Sequence, residues 1–576
     1  MVSCEDFLNR SPYDDFTDGD YWKNETQARI FMYGFYPTVF PGYETGNSYS
    51  WLSDAGDDAI SGGHQTPLLP DVAKGIPPSD GSWTFTNVRK ANYVIESVPR
   101  IQESDEVKNH WLGVGRFLRG FFYSSLSYGY GDVPYFDKVT QFSTVKADLD
   151  YLFKDRDPRA FVVRKNIEDF RFALENVRVN DGALQINRYV VAAMVSRLML
   201  REGTFQKYVG GDLVLAQECL TFAKEAAELV INSNKYSLSS SYKALFASDD
   251  LAGNPEIIMY RKYEDAVVVH SMWANNSTVE QTGASKSLAE SYSKSNGLPY
   301  DIDGYLAPTA TDFFRNRDPR LLENIRPQYY PRGANYGPFN YAGSGYSWRK
   351  FVNDDRIGEP GGHFNRSGNV TDAPVLRLGE VLLNYAETCY ELEALTGTDV
   401  FNQGVLDKTI NVLRDRTGVM MPHLQEVGGL PAINGITYDD PKRSRQNPVE
   451  DVSPMLWEIR RERRIELCVE GFRSSDLKRW HKLDYLSNEN NPDFRYGAYI
   501  RLSDFPDDVA KSVNLMNYID AVIVDTVSVV EGFILGNIGD QRAAPVPKNY
   551  VKPVPQDQIT IYKSRGYKLS QTREWQ

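Results

Sequence analysis

A mainly α-helical protein is what this 576-residue sequence predicts, and three observations carry that reading. Apolar residues recur at three- and four-residue spacing over several segments of helix length, the pattern of amphipathic helices rather than strands. Those segments are bounded by start and stop chemistry: Asn187 stands before one periodic run, and Gly131 and Pro134 follow another. The long stretch without periodicity, 234–373, is rich in Gly, Asn, Ser, Tyr and Pro and holds only short strand-like islands.

Residues 1–20 are acidic and turn-rich (Ser11-Pro12-Tyr13-Asp14-Asp15) and read as a tether. Glu25 to Tyr36 reads as a first helix ended by Pro37, and Gly42 to Gly81 as an irregular stretch. Val88, Ala91, Asn92 and Ile95 predict a helix over 86–97. A long aromatic helix, 105–128, runs into Tyr128-Gly129-Tyr130-Gly131-Asp132-Val133-Pro134, where Gly131 and Pro134 stop it. Helices are expected over 164–178, 187–202 and 212–232, with Val190, Ala193, Met194, Arg197 and Leu198 forming one stripe of the second. Paired helices of this size resemble tetratricopeptide packing, without a clean repeat of about 34 residues. Ile257-Ile258-Met259-Tyr260 reads as a strand, Asp318-Pro319-Arg320 as the start of a short helix, and Pro374–Leu395 as a further helix. Trp83 and Trp111 lie beside helix patterns and read as core, as do Cys219 and Cys389.

Bulk chemistry excludes several functions. A net charge of −13 argues against a nucleic-acid partner and against an anionic membrane surface. The four cysteines follow no C-x-x-C spacing and the six histidines are scattered singly, so no metal site is expected. Asp301-Ile302-Asp303-Gly304 resembles only the start of a calcium loop and lacks its later ligands. No P-loop and no G-x-S-x-G elbow is present, so no catalytic residues and no cofactor are expected. No apolar run approaches a membrane span.

The densest chemistry lies in Leu456–Trp480, which otherwise reads as helix. Glu462, Glu466 and Glu470 stand four apart and share one helical face, where like charges repel by about a few tenths of a kcal/mol per pair. Arg460, Arg463, Arg464 and Arg473 are at hand to compensate, and a guanidinium bridges two carboxylates bidentately. The segment is either an ion-pair clamp between helices or a catalytic carboxylate pair.

This segment resembles the SusD/RagB family, surface nutrient-binding lipoproteins of Bacteroidota. The family pattern E-R-R-x-E-L-x-x-E-G-x-R-x-x-D-L-x-R-W is matched by Glu462-Arg463-Arg464, Glu466-Leu467, Glu470-Gly471, Arg473, Asp476-Leu477 and Arg479-Trp480. Further motifs follow in family order along the whole chain. They include Tyr130-Gly131-Asp132-Val133-Pro134, Asp318-Pro319-Arg320, Leu376–Glu387 with Gly379 where Ala is usual, and Ile410–Gly418. The closing motif departs from the pattern, with Thr572-Arg573-Glu574 in place of N-P-G. Length alone would suggest roughly three or four domains. The resemblance implies instead one domain over 21–576, with a helical scaffold (21–233 and 374–483), a ligand-binding insert (234–373) and an irregular C-terminal region (484–576). It also makes Cys4 the lipidated residue of a lipobox tail, Val2-Ser3-Cys4, followed by Glu5 and Asp6 as in surface-exported lipoproteins. A signal peptide outside this sequence is then implied.

Aromatics are abundant, with 36 Tyr, 28 Phe and 9 Trp, but they fill helix interfaces as well as binding surfaces, so their number decides nothing. A pyranose stacks its C–H face on an aromatic ring, while its hydroxyls take Asp, Asn, Arg or His partners. Two segments combine these types: Tyr43–His64, with Trp51, Asp57, Asp58 and His64, and the middle insert, with Trp273, Asn276, Tyr292, Tyr300, Trp348 and Arg349. Family ligand loops come from the same two regions. The resemblance thus implies an oligosaccharide-binding protein, lipid-anchored at the outer-membrane surface and partnered with a SusC-like TonB-dependent transporter. Peptide cargo, as in the RagB branch, is the alternative, and a glycoside hydrolase is the third reading.

Overall fold

Capping side chains set where the helices begin. The computed structural model describes residues 21–46, 51, 56–61, 75–139, 144–272, 282–304, 310–327, 344–353, 368–501, 531–535 and 544–576. They form two compact units, one from Met1–Phe40, Ala73–Val191 and Val551–Gln576, the other from Pro41–Val72 and Ala192–Tyr550.

In the first unit, Asn24 accepts a hydrogen bond from the Gln27 N–H and opens α1 (Glu25–Tyr33). Pro37 does not simply end this helix. It sits in the first turn of a short helix, Tyr36–Val39, where its missing N–H has no partner to lose. Helix α2 spans Thr86–Ser97, and α3 (Asp105–Tyr130) starts on a Ser104 cap with Asp105 and Glu106 at the positive end of its dipole. Helix α4 is Arg159–Asn176. Helix α3 packs against both α2 and α4, and the buried Arg119 ties the three together. Its guanidinium makes two 2.7 Å bonds to Asp169 of α4 and one of 3.1 Å to Asn92 of α2. Trp83 and Trp111 are buried, as their neighbouring periodicity predicts.

The Asn187 carboxamide accepts from the Tyr189 and Val190 N–H groups and caps α5 (Arg188–Phe205), which the second unit takes up from Ala192. In that unit α6 (Leu213–Ile231) packs on α7 (Leu378–Thr396), and α7 on α8 (Pro454–Glu466), which is followed by α9 (Arg473–Arg479). Strands are short and pair antiparallel: β1 (Ala59–Ser61) with β3 (Thr282–Ala284), β2 (Ile257–Arg261) with β6 (Ala373–Arg377), and β4 (Ile325–Pro327) with β5 (Tyr346–Trp348). A meander of β7 (Gln425–Val427), β8 (Leu430–Ile433) and β9 (Ile436–Thr437) follows, then the pair β10 (Tyr496–Arg501) and β11 (Glu531–Leu535). The helix expected from Pro374 begins only at Leu378. The preceding residues form β6, because their backbone groups pair with β2, a partner remote in sequence.

Helix α8 carries the charge-rich motif, and the motif serves as a clamp. Ser453 caps the helix and Pro454 takes its first turn; it ends at Glu466, with Gly471 in the left-handed region at φ +82°. Glu470 therefore lies beyond the helix and shares no helical face with Glu466. The two converge all the same on Arg377, whose Nη1 is 2.8 Å from Glu466 and whose Nη2 is 2.8 Å from Glu470.

The cations that neutralise these glutamates come from elsewhere in the chain. Arg320 reaches Glu462 at 2.7 Å and Glu466 at 3.0 Å, Arg414 reaches Glu462 at 2.9 Å, and Arg416 reaches Glu466 at 2.9 Å. Linked through shared partners, Arg320, Lys350, Arg377, Arg414, Arg416 and Arg461 balance Glu256, Asp318, Glu458, Glu462, Glu466 and Glu470. All twelve are buried. The arginines of the motif itself turn elsewhere: Arg463 and Arg479 pair with Glu387 and Asp476, and Arg464 and Arg473 with Asp57 and Asp58. Stripping water from each ion costs several kcal/mol, far more than the repulsion between glutamates on one helix face. Complete pairing is what makes the burial tolerable.

Gly379 follows from this network. A Cβ there would stand 2.4 Å from Arg377 Nη1 and 3.0 Å from Glu256 Oε1, so the departure from Ala makes room for the guanidinium. Ala gains about 1 kcal/mol of helix propensity over Gly. Overpacking against a clamped ion pair reverses the sign: Gly379→Ala is expected to destabilise by about 1–3 kcal/mol in urea unfolding. Glu466→Gln leaves buried guanidinium charge uncompensated and is expected to cost about 3–5 kcal/mol in the same measurement.

The network also sets an acid limit. Burial pushes the Glu462 carboxyl up, but Arg320, Arg414 and Arg461 outweigh it and hold it at about 2, below its ordinary 4.5. Glu466 and Glu470 are lowered in the same way. A depressed carboxyl stabilises the fold fully above its unfolded value and loses that contribution as pH falls through the folded one. Unfolding free energy is expected to drop as pH falls from about 4.5 towards 2, and Glu462→Gln to flatten that slope in urea titrations across the window.

Candidate functional site

One strand pair brings the two aromatic loop regions of the sequence together. Ile60 of β1 lies opposite Gly283 of β3, so strands from the two regions run side by side. Ser285 locks the junction: its N–H donates to the Asp58 carbonyl at 2.8 Å and its hydroxyl to the Asp57 carbonyl at 2.7 Å. Trp348 of β5 completes the frame, its indole N–H donating to Thr282 Oγ at 3.2 Å.

Asp57 and Asp58 sit at the foot of this frame, with exposures of 0% and 1%. Arg473 Nε is 2.6 Å and Arg464 Nη2 3.0 Å from Asp57, and Arg464 Nη2 is 2.6 Å from Asp58. Asn491 adds a bond of 3.1 Å to Asp57. Burial raises both carboxyls; Arg464 and Arg473 pull Asp57 below the usual carboxylate range, whereas Asp58, with Asp57 beside it, stays above it. The expectation that these two carboxylates meet sugar hydroxyls is corrected: their oxygens are committed to α8 and α9, and what they hold is the loop.

Three aromatic candidates are core residues rather than displayed rings. Trp348 is 0% exposed. Tyr292 is fully buried and its hydroxyl accepts from Asn324 at 2.8 Å. Tyr300 is buried beneath Arg317, whose guanidinium lies 4.1 Å from the ring centroid. Burial pushes Arg317 down to about 10, and its N–H groups bond the carbonyls of Ala289, Tyr292 and Phe313. All three rings belong to one apolar cluster with Tyr43, Tyr242, Phe246 and Phe351. Arg349 is half-buried and donates to the Leu322 carbonyl at 2.8 Å.

Trp51 differs from these. It is half-buried, standing edge-on to Tyr43 at 4.9 Å and to Phe351 at 6.0 Å, so a rigid aromatic floor holds it while part of the side chain reaches solvent. Cys4, His64, Trp273 and Asn276 lie outside the described residues.

A second aromatic group escaped the sequence reading. Tyr496 and Tyr499 of β10 stand 5.9 and 5.1 Å from Phe533 of β11, all three half-buried. Lys286 lies 5.1 Å over the Phe533 ring and pairs with Asp493 at 2.6 Å. Gly497 lets this strand approach: a Cβ there would stand 1.9 Å from the Ser344 carbonyl oxygen, which accepts from the Ala498 N–H. The available signal was the short run Tyr496-Gly497-Ala498-Tyr499-Ile500, aromatic and β-branched at its ends, within a region otherwise read as irregular.

Fold and site together define a mainly helical scaffold that holds irregular, aromatic-bearing loops on a core of buried ion pairs. The chain belongs to the SusD family, whose model matches residues 255–575. It is 21% identical over 513 residues to SusD-like protein P38 of Formosa agariphila, an alignment covering 84% of this chain and 89% of that protein. A SusD-like carbohydrate binding protein of Bacteroides fragilis superposes with a TM-score of 0.66 at 19% identity, covering 94% of this chain and 99% of that one. Surface glycan-binding protein A of Bacteroides fluxus superposes at 0.57 with 15% identity, over 96% and 100%.

Burial makes a direct prediction. Trp348→Ala is expected to lower unfolding free energy by about 3–5 kcal/mol, as deletion of a core indole does, measured by urea unfolding monitored by circular dichroism.

Proposed function

We propose that this chain binds oligosaccharide at the bacterial surface and delivers it to a TonB-dependent outer-membrane transporter, with no chemistry on the cargo. The observation that carries the reading is the junction of the two aromatic loop regions at the β1–β3 pair, with half-buried Trp51 above a rigid aromatic floor. A sugar site needs such a ring on a frame that does not move, because a preorganised platform spares the ordering entropy of binding. Family membership and the carbohydrate- and glycan-binding names of its solved relatives support the same cargo class. Asp57 and Asp58 act as positioning residues, and Trp51, Trp273 and Asn276 with Tyr496 and Tyr499 are the contacts we assign.

Cys4 carries the lipid anchor in this reading and residues 1–20 the tether. Among the described residues no helix is long and apolar enough to cross a membrane.

Ring stacking contributes about 0.5–1.5 kcal/mol beyond buried area, so Trp51→Ala and Trp273→Ala are each expected to weaken oligosaccharide binding by roughly 3- to 10-fold. Isothermal titration against a glycan panel measures this, with a peptide mixture as the contrasting arm. Unchanged affinity in both variants removes these rings from the site, and heat from the peptides alone overturns the cargo class.

A further inference from the structure

An open cleft of about 380 Å³ lies on the helical scaffold of the second unit and shares no residue with the loop frame. Its walls come from α6, from α7, and from the short helix Gln403–Lys408 with the loop before it. Pockets for small ligands begin at about 300 Å³, whereas a water needs roughly 10–15 Å³, so the space is of ligand size.

The frame of the cleft is held in place by its own contacts. Gly397, at φ +70°, ends α7 in the left-handed region and turns the chain. Glu393 then accepts the Val400 and Phe401 N–H groups at 3.0 and 2.8 Å, which pins the loop that carries Asp399. Asn402 caps the short helix through its side-chain oxygen, 3.3 Å from the Val405 N–H. From α7, the Tyr385 hydroxyl donates to Glu228 of α6 at 3.0 Å, and Lys224 pairs with the same carboxylate at 2.6 Å.

Three polar groups of the cleft remain uncommitted. Among the described residues the Asp399 carboxylate and the Lys408 ammonium make no ion pair and no hydrogen bond, with each other or elsewhere, and the Asn402 side-chain N–H groups donate to nothing. All three residues are exposed, so water can serve them, and need alone names no occupant. Their combination does. An anion would meet Asp399, and a cation would meet Lys408. A sugar suits the whole set, because each hydroxyl both donates and accepts: it gives a hydrogen bond to the carboxylate and takes one from the ammonium or the amide. Half-buried Tyr385 and Val400, with buried Val405, supply apolar surface for the C–H groups of the ring.

We propose that this cleft is a second carbohydrate site, taking one or two neutral sugar units of the cargo that the loops bind. The inference rests on the proposed cargo class and adds a position to it. Two sites on one chain make the second contact intramolecular, so a long glycan gains more from the cleft than a short one. The neutral polysaccharide that wild-type protein binds best, and a short oligosaccharide derived from it, are the probes. Asp399→Ala/Lys408→Ala is expected to weaken retention on a gel containing the polysaccharide by roughly 3- to 10-fold. The pair of substitutions leaves net charge unchanged, and both positions are exposed and outside the buried ion pairs, so the thermal midpoint is expected to hold within about 1 °C. Titration of the loop site with the short oligosaccharide is expected to give the wild-type affinity. Retention unchanged in the double variant overturns the second site and leaves the loop site standing. Heat from peptides, with no neutral glycan bound by wild-type protein, overturns the cargo class and this site with it.

Discussion

Pairing of buried charge along α8 is the constraint on which the rest of the second unit depends. Glu458, Glu462 and Glu466 are fully buried on one helix, an arrangement that a chain tolerates only when cations arrive from several directions at once. Arg320, Arg377 and the pair Arg414 and Arg416 arrive from three separate segments, so forming the network fixes the mutual placement of those segments. Replacement of buried ion pairs by apolar residues of equal volume is often neutral or stabilising, so stability alone does not account for the network. We regard positional specificity as the physical reason for so many buried ions; a double-mutant cycle replacing Arg320 and Glu466 by Met and Leu separates specificity from stability.

The same helix reaches out to the loops. Guanidiniums of Arg464 and Arg473 hold Asp57 and Asp58, and through them the start of β1, which pairs with β3. The most recognisable residues of the chain thus do not touch ligand in this account. They hold the backbone at the start of β1, from which the ligand-facing residues are displayed in the proposed reading.

Aromatic residues divide along the same line. Tyr292, Tyr300 and Trp348 sit in stretches whose composition looks like binding loop, yet they form the floor. Trp51 and the Tyr496–Tyr499–Phe533 group combine partial exposure with rigid support, the two properties a stacking platform needs.

Local chemistry determined much of this protein from sequence alone. The helix over 86–97, the Asn187 cap, the strand at Ile257–Tyr260 and the short helix after Pro319 all depend on neighbours within a turn or two, and each was legible. The family, and with it the fold class, was legible for the same reason, since its motifs are contiguous. Tertiary structure alone decided the rest. Ala373–Arg377 is strand rather than helix because its partner is β2. The ion pairs of Glu462 and Glu466 are made by arginines remote in sequence, with Arg461 adding its charge beside Glu462, because a helix turns adjacent side chains to different neighbours. Asp57, Asp58 and Trp348 read as surface chemistry, but burial is a property of what packs over a residue, and no spacing along the chain encodes that.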